Sequence, residues 1–292
     1  MACFHPLEAV QEADNRLKVA TNAHNRYQGR PLWLPCGKCI GCRTQKKQQW
    51  AIRCTHEAQM HKTNSFVTLT YADSNYYPSL IPSDFKKFIR RVVDKKGPTR
   101  YYMCGEYGEQ NLRPHFHALL FGQSFSQDYP VNENNWGSKE LDQLWGHGYA
   151  SHGAVTLQSA AYVAGYVTKK ITGEKAEAYY TRLDPSTGEL IQCIPEYGRM
   201  SLKPGIGQKW FEKYSGEVYN AHDGIVQPGG YILPPPRYYD KKLQEKDDDT
   251  YEHIKYLRYV RSFEYAQDGT PERLAVREKC AKAKQKFLKR TL

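Results

Sequence analysis

The stretch Arg113-Pro114-His115-Phe116-His117-Ala118-Leu119-Leu120-Phe121-Gly122 sets two histidines around one bulky apolar residue, then runs apolar until a glycine stops it. Short, aromatic-rich and glycine-ended, it predicts a buried strand. Side chains at i and i+2 of a strand share a face, so His115 and His117 project together while Phe116 turns into the opposite layer. Upstream, residues 43–61 lack Gly and Pro and place Trp50, Ile52, Cys54, Ala58 and Met60 among Lys46, Lys47 and Arg53, predicting a helix with one basic face. Residues 65–71 are β-branched and aromatic, hence a strand. Pro82-Ser83-Asp84 opens a helix, with Ser83 as its expected N-cap and Phe85, Phe88, Ile89 and Val92 at helical spacing. Residues 100–107 form a further strand and 108–114 a turn into the histidine strand. A short helix at 138–145, a strand at 149–156 and a helix at 159–171 beginning Ser159-Ala160-Ala161 follow.

Strand–helix–strand–strand–helix–strand is the split βαβ pattern of an antiparallel sheet with helices packed on it, an α+β fold. Beyond Thr172 the signal weakens. Residues 173–200 are polar, with turn chemistry at Asp184-Pro185-Ser186-Thr187-Gly188, and Pro234-Pro235-Pro236 marks a stiff connector. Asp247-Asp248-Asp249 then precedes a helix over 251–266, and a strongly basic helix covers 271–290. There is no internal repeat. The expected division is an N-terminal cysteine-cluster and basic-helix segment at 1–62, a central domain at 63–240 and a basic helical tail at 241–292.

Charge changes this picture more than length does. The formal net charge is +11, with ten Lys/Arg against four acids in residues 1–62 and eight against two in 270–292, leaving the middle near neutral. Basic ends around a neutral body fit a protein that grips a polyanion. Ordinary solvated helix faces are the plainer account. No apolar run approaches a membrane span and Met1-Ala2-Cys3-Phe4-His5 is no signal-peptide start, so a soluble, intracellular protein is expected. Eight cysteines in a reducing compartment serve as free thiols or metal ligands rather than disulfides.

Three groups of residues carry chemistry. Pro35-Cys36-Gly37-Lys38-Cys39-Ile40-Gly41-Cys42-Arg43 is a compact knuckle that points several thiolates at one ion. Cys3 is the natural fourth ligand, with Cys54 and Cys104 as rivals. Four sulfurs suit structural Zn(II), which supplies roughly 10–16 kcal/mol of apparent binding free energy to a segment with little core of its own. An iron–sulfur cluster and uncoordinated thiols are the other readings. Second, a hairpin turning through 108–114 brings Glu106 beside His115 and His117, with Glu109 as fallback. Two imidazoles and a carboxylate leave coordination positions open and suit Mg(II) or Mn(II) as well as Zn(II). The bland alternative is a pair of structural histidines. Third, Tyr162 and Tyr166 stand at i and i+4 on the last predicted helix of the central domain, with Lys169 extending their face. Tyrosines at this spacing are commonly packing residues. Facing a metal they become nucleophiles: a phenol attacks a polarised phosphodiester, and Lys169 helps stabilise the developing charge. A free phenol is only about 0.1 per cent phenolate at neutral pH, so such help matters.

In this order, Phe66-Val67-Thr68-Leu69-Thr70-Tyr71, His115-Phe116-His117 and Tyr162-x-x-x-Tyr166 resemble the three motifs of HUH endonucleases. More narrowly, the Met1-Ala2-Cys3 start, the cysteine knuckle, Cys104-Gly105-Glu106-Tyr107-Gly108 and Pro234-Pro235-Pro236-Arg237-Tyr238-Tyr239-Asp240 resemble replication initiation proteins of gokushovirus-type microviruses. The resemblance spans most of residues 1–240. It implies a rolling-circle initiator acting in the bacterial host cytoplasm on single-stranded and replicative-form origin DNA. One strand is nicked, the protein stays on the 5′ phosphate, the 3′ hydroxyl primes host polymerase, and a host helicase is an expected partner. The other tyrosine then attacks to release and circularise a genome-length strand. Two-tyrosine members often place a lysine three residues after each tyrosine. Here Tyr166 has Lys169 but Tyr162 is followed at that spacing by Gly165, which favours Tyr166 as nucleophile and leaves Tyr162 the alternate step.

Arg43, Lys46, Lys47 and Lys170 are the expected phosphate contacts, with the 273–290 tail either a further one or a protein-docking helix pair. The rival from another class is a zinc-dependent nucleic-acid-binding protein without chemistry, in which histidines and tyrosines are core. A relaxase- or transposase-like strand transferase shares the chemistry and differs in substrate.

Overall fold

The computed structural model describes residues 3–14, 16–19, 29–108, 111–166, 170–171 and 173–288. By internal contacts the chain gathers into two units, Met1–Lys46 together with Leu243–Leu292, and Lys47–Lys242. In the first unit, β1 (Leu7–Gln11), β2 (Leu17–Val19) and β3 (Arg30–Leu34) form a small antiparallel sheet in the order β2-β1-β3. Its sequence carries no alternation over more than five residues, which is why only a cysteine-bearing basic segment was legible there. Helix α1 (Ile40–Gln59) begins at the knuckle, so Cys42 lies in its first turn rather than ahead of it.

The larger unit is built on a seven-stranded, wholly antiparallel sheet. Its members are β4 (Asn64–Tyr71), β5 (Arg100–Tyr107), β6 (Pro114–Phe121), β7 (Tyr129–Asn132), β8 (Asn135–Gly137), β9 (Gly148–Gly153) and, past the two-stranded ribbon β10 (Thr181–Leu183) and β11 (Leu190–Gln192), β12 (Tyr197–Met200). The order is β12-β5-β6-β4-β9-β8-β7. Strands β4 and β5 both run antiparallel to β6 and so parallel to each other, with β6 between them. In the same way β6 and β9 run parallel with β4 between them. Four of these strands match the sequence expectation. The other three are short, and β12 comes from the polar 173–200 stretch, where edge pairing with β5 rather than a hydrophobic pattern makes the strand.

Helix α2 (Pro82–Lys96) connects β4 to β5. Its first residue is Pro82, preceded by the cap position Ile81, so Ser83 is not the N-cap expected; proline there needs no partner for its missing N–H. Phe85, Phe88 and Val92 bury on one side of the sheet with Leu141, Leu144 and Trp145 of α3 (Lys139–Trp145). They pack on Val67, Leu69, Phe116, Ala118 and Leu120. Helix α3 starts where Ser138 Oγ accepts the Leu141 N–H and ends at Gly146, whose φ of 69° suits a residue without a Cβ.

The opposite sheet face carries Tyr102, Cys104, Leu119 and Phe121 and is covered by Ala51 and Cys54 of α1 and by Ala160, Val163 and Ala164 of α4 (Leu157–Tyr166). Covering both faces explains why β5 and β6 are buried almost without alternation. Helix α4 opens two residues before the expected Ser159. Ser159 Oγ accepts the Thr156 N–H at 2.8 Å while Thr156 Oγ1 accepts the Ser159 N–H at 3.1 Å, a reciprocal cap that fixes where the helix leaves β9.

Helices α5 (Lys175–Tyr180), α6 (Gln208–Gly216) and α7 (Arg237–Lys246) follow in sequence, with the two-residue strands β13 (Ile225–Val226) and β14 (Ile232–Leu233) before α7. Among them His56, stacked on Trp210 at 3.4 Å and hydrogen-bonded to the Tyr239 hydroxyl at 2.9 Å, is core. The tail forms α8 (Asp248–Ser262) and α9 (Pro271–Leu288). In the smaller unit a cavity of about 690 Å³ is lined by Phe4, Trp33, Tyr265 and Leu274 among others. No helix among the described residues is long and apolar enough to cross a membrane.

Candidate metal centre and tyrosine helix

Register decides the site. Glu106 of β5 stands directly opposite His115 of β6, and Cys104 opposite His117. On the other side of β6, Thr68 of β4 stands opposite His117. Cross-strand partners lie about 5 Å apart and project to the same face, so pairing alone gathers Glu106, His115 and His117. Glu106 Oε1 lies 2.6 Å from His115 Nε2 and 2.8 Å from His117 Nε2. Glu106 and His117 are 2% and 5% exposed.

The far nitrogens fix the rings. His115 Nδ1 lies 3.0 Å from the Arg113 carbonyl, which only accepts, so that nitrogen carries the proton. In a neutral ring Nε2 then presents a lone pair to a carboxylate oxygen, an arrangement that requires a cation between them, either a proton or a metal ion. His117 Nδ1 is held by Thr68 Oγ1 at 2.9 Å. Carboxylate Oε2 of Glu106 is buried without a hydrogen-bond partner. Burial pushes the Glu106 carboxyl up, but the hydrogen bonds and charges of His115 and His117 outweigh it and hold it below the usual carboxylate range. These observations fit a divalent ion: an ionised carboxylate with an oxygen to spare, and two imidazoles turned inward by outer partners, as metal-ligating histidines are. An N₂O set accepts Mg(II), Mn(II) or Zn(II).

Tyr162 reaches this centre from α4. Its ring stands edge-on to that of His117, centroids 5.1 Å apart, and 6.1 Å from Phe66, which itself stacks on His117 at 5.7 Å. Tyr162 is nonetheless 42% exposed, so one side of the phenol meets solvent. Tyr166 is the final residue of α4. Its side chain, Lys169 and Glu109 lie outside the described residues. Arg43, Lys46 and Lys170 are exposed and Lys47 half-buried. Sequence reasoning had Thr68 inside a motif but gave it no role; the signal available was its place at alternate spacing on the strand that pairs with the histidines.

The second cluster lies in the smaller unit. One sulfur from each of Cys3, Cys36, Cys39 and Cys42 falls within 4.8 Å of the others. Cys39 Sγ lies 3.9 Å from Cys3 Sγ, close to the roughly 3.8 Å edge of a tetrahedron with 2.3 Å Zn–S bonds. Backbone N–H groups of Cys36, Cys39 and Phe4 donate to Cys3, Cys36 and Cys39 at 3.2, 3.3 and 3.4 Å. Burial pushes the Cys39 thiol up, but the N–H groups of Phe4 and Cys42 and the adjoining thiols outweigh it and bring it to about 6. Cys42 is pushed up to about 12, by burial first and then by its sulfur neighbours. The rivals Cys54 and Cys104 sit in the core beneath α1 and α4.

The family described as replication-associated protein ORF2 matches residues 64–171, a span containing the sheet strands β4 to β9, the Glu106–His115–His117 centre and Tyr162. Replication-associated protein VP4 of Bdellovibrio phage phiMH2K is 32% identical over 255 residues, 82% of this chain and 76% of that protein. Replication-associated protein ORF2 of Spiroplasma virus 4 is 29% identical over 289 residues, 89% of this chain and 85% of its own. Replication-associated protein ORF4 of Chlamydia phage 1 is 33% identical over 154 residues, 47% of this chain and 38% of that protein. No solved structure matches. The chain belongs to the phage replication-associated proteins, as a replication initiator of the microvirus type.

Proposed function

We propose that this initiator is a metal-dependent HUH-type endonuclease and strand transferase that nicks and rejoins single-stranded DNA at the phage origin through a 5′-phosphotyrosine link. The observation that carries the reading is the convergence of Glu106 Oε1, His115 Nε2 and His117 Nε2 under the ring of Tyr162. The strand order supports it: a parallel pair of strands joined through a helix, with an antiparallel strand between, is the split βαβ arrangement. Residues 63–240 are then the catalytic domain.

An Mg(II) or Mn(II) ion held by Glu106, His115 and His117 would act as a Lewis acid toward the phosphodiester and neutralise charge as it develops. The rest falls to the chain. The phenol oxygen of Tyr162 or Tyr166 forms a bond to phosphorus, the bond to the 3′ oxygen breaks, and the proton given up by the phenol balances the one the 3′ hydroxyl takes up. The ester conserves the energy of the broken bond, so the second tyrosine can reverse the reaction on a new strand without ATP. Thr68 and the Arg113 carbonyl keep both imidazoles turned to the ion. The Cys3, Cys36, Cys39 and Cys42 sulfurs hold a structural Zn(II). Arg43, Lys46, Lys47 and Lys170 contact phosphates, and the protein works in the bacterial cytoplasm with host polymerase and helicase.

Incubation with single-stranded origin DNA and Mn(II) is expected to give a protease-sensitive adduct on the 5′ end of the cut strand. Tyr162→Phe with Tyr166→Phe should abolish it. Tight DNA binding with an intact substrate would instead establish the non-catalytic zinc-dependent binding protein.

A further inference from the structure

Gly165 stands three residues after Tyr162, on the same face of α4. A glycine inside a helix costs about 1 kcal/mol relative to alanine, and this one is not needed for a left-handed backbone, since its φ is not among the positive ones. What it leaves is room. A Cβ placed on Gly165 would lie 3.4 Å from both Cδ and Cε of Lys47 and 3.5 Å from its Nζ. The end of the Lys47 side chain, reaching across from α1, therefore lies against the bare backbone of α4 one turn beyond Tyr162. Lys47 is half-buried, as expected of a lysine whose stem packs and whose ammonium emerges at the edge of a contact.

We propose that Lys47 is the cation dedicated to the Tyr162 transfer, supplied in space by α1 where α4 has no lysine of its own. This rests on the tyrosine-transfer reading above. When the Tyr162 oxygen bonds to phosphorus and the 3′ oxygen departs, negative charge grows on the non-bridging oxygens beside α4. A fixed ammonium there lowers the cost of that charge. Lys47 stays protonated throughout and contributes charge alone; the phenol proton is balanced at the 3′ oxygen. The close approach also gives Gly165 a purpose: a larger side chain there would displace the ammonium from the tyrosine's face.

The test uses the full-length protein, Mn(II), and a single-stranded origin oligonucleotide that the unaltered protein cleaves. Single-turnover adduct formation is followed with each tyrosine isolated by replacing the other. Lys47→Met is expected to slow transfer by about 10–100-fold when only Tyr162 remains, in Tyr166→Phe, and by less than about threefold when only Tyr166 remains, in Tyr162→Phe. The unaffected background doubles as the folding control. Lys47→Arg should retain most of the rate, and Lys47→Met with Gly165→Lys should recover part of it by returning a cation to the same spot. Equal slowing in both backgrounds would reduce Lys47 to a general phosphate contact and overturn the proposal, as would no slowing in either. An unaltered protein that forms no adduct would sink the tyrosine-transfer reading and this inference with it; an adduct whose rate ignores Lys47 sinks the inference alone.

Discussion

The two clusters of ligating side chains in this protein are built on opposite plans. In the smaller unit four sulfurs come from a knuckle, the first turn of α1 and a residue near the start of the chain, and backbone N–H groups point at three of them. The set is closed and soft. In the larger unit two imidazoles and one carboxylate project from adjacent strands of a sheet packed on both faces, and one carboxylate oxygen has no partner. That set is open and harder. Four soft donors fill a tetrahedron and leave nothing for a substrate, whereas three mixed donors on a rigid support leave positions vacant for a phosphate oxygen. The difference assigns stability to one cluster and chemistry to the other.

The largest expected effect separates them directly. His117→Ala should lower Mn(II)-dependent cleavage by about 10³-fold or more, equivalent to at least about 4 kcal/mol of transition-state stabilisation. Bound zinc, measured by atomic emission on the purified protein, should stay the same. Next in size, Cys39→Ser should release the zinc and lower stability to denaturant by several kcal/mol, since binding energy at such a site is folding energy. Proteolysis should then begin within residues 1–46 or 243–292, while Mn(II) affinity at the histidine site changes little. A Cys39→Ser protein that keeps its zinc and its stability would make the sulfurs ordinary thiols. The finest probe is Thr68→Val, which removes the hydroxyl on His117 Nδ1 and keeps the volume. Outer partners of metal-bound histidines contribute about 10–100-fold, so the Mn(II) concentration for half-maximal cleavage should rise by that order with zinc unmoved. An unchanged Mn(II) requirement would mean the Phe66 ring alone orients His117.

The charged tail illustrates the same separation by a different route. Read along the chain, its lysines and arginines are an unbroken basic run. In space, Glu278 lies 3.1 Å from His5 and 3.2 Å from Lys282, and Asp268 accepts Arg273 at 3.1 Å, so part of the acid complement is held inside the unit. Exposed pairs of this kind contribute about 1 kcal/mol at most, and they leave the remaining cations outward.

Strands β4, β5, β6 and β9, helices α2 and α3, and the sharing of one face by His115 and His117 were all legible in the sequence, because period-two and period-3.6 patterns and cap residues are local properties. Glu106 was legible as well, since a hairpin ties its position to the histidines through the length of one turn. The start of α4 at Leu157, the three short outer strands and the small sheet β1 to β3 were not: each is fixed by pairing or capping partners that leave no periodic trace in so few residues. Register, too, belongs to the tertiary structure, and it is register that sets Thr68 against His117 and so makes a threonine in a strand into the support of a ligand. The same holds for Lys47 and Gly165, which are separated by more than a hundred residues and share no motif; only the packing of α1 against α4 brings an ammonium to the place where the helix carries no side chain. Sequence alone determined which kinds of atoms were available and roughly on which element each would ride. Which of them meet was decided by non-local strand pairing and helix packing, whose free energy comes from buried surface and not from any residue's own preference.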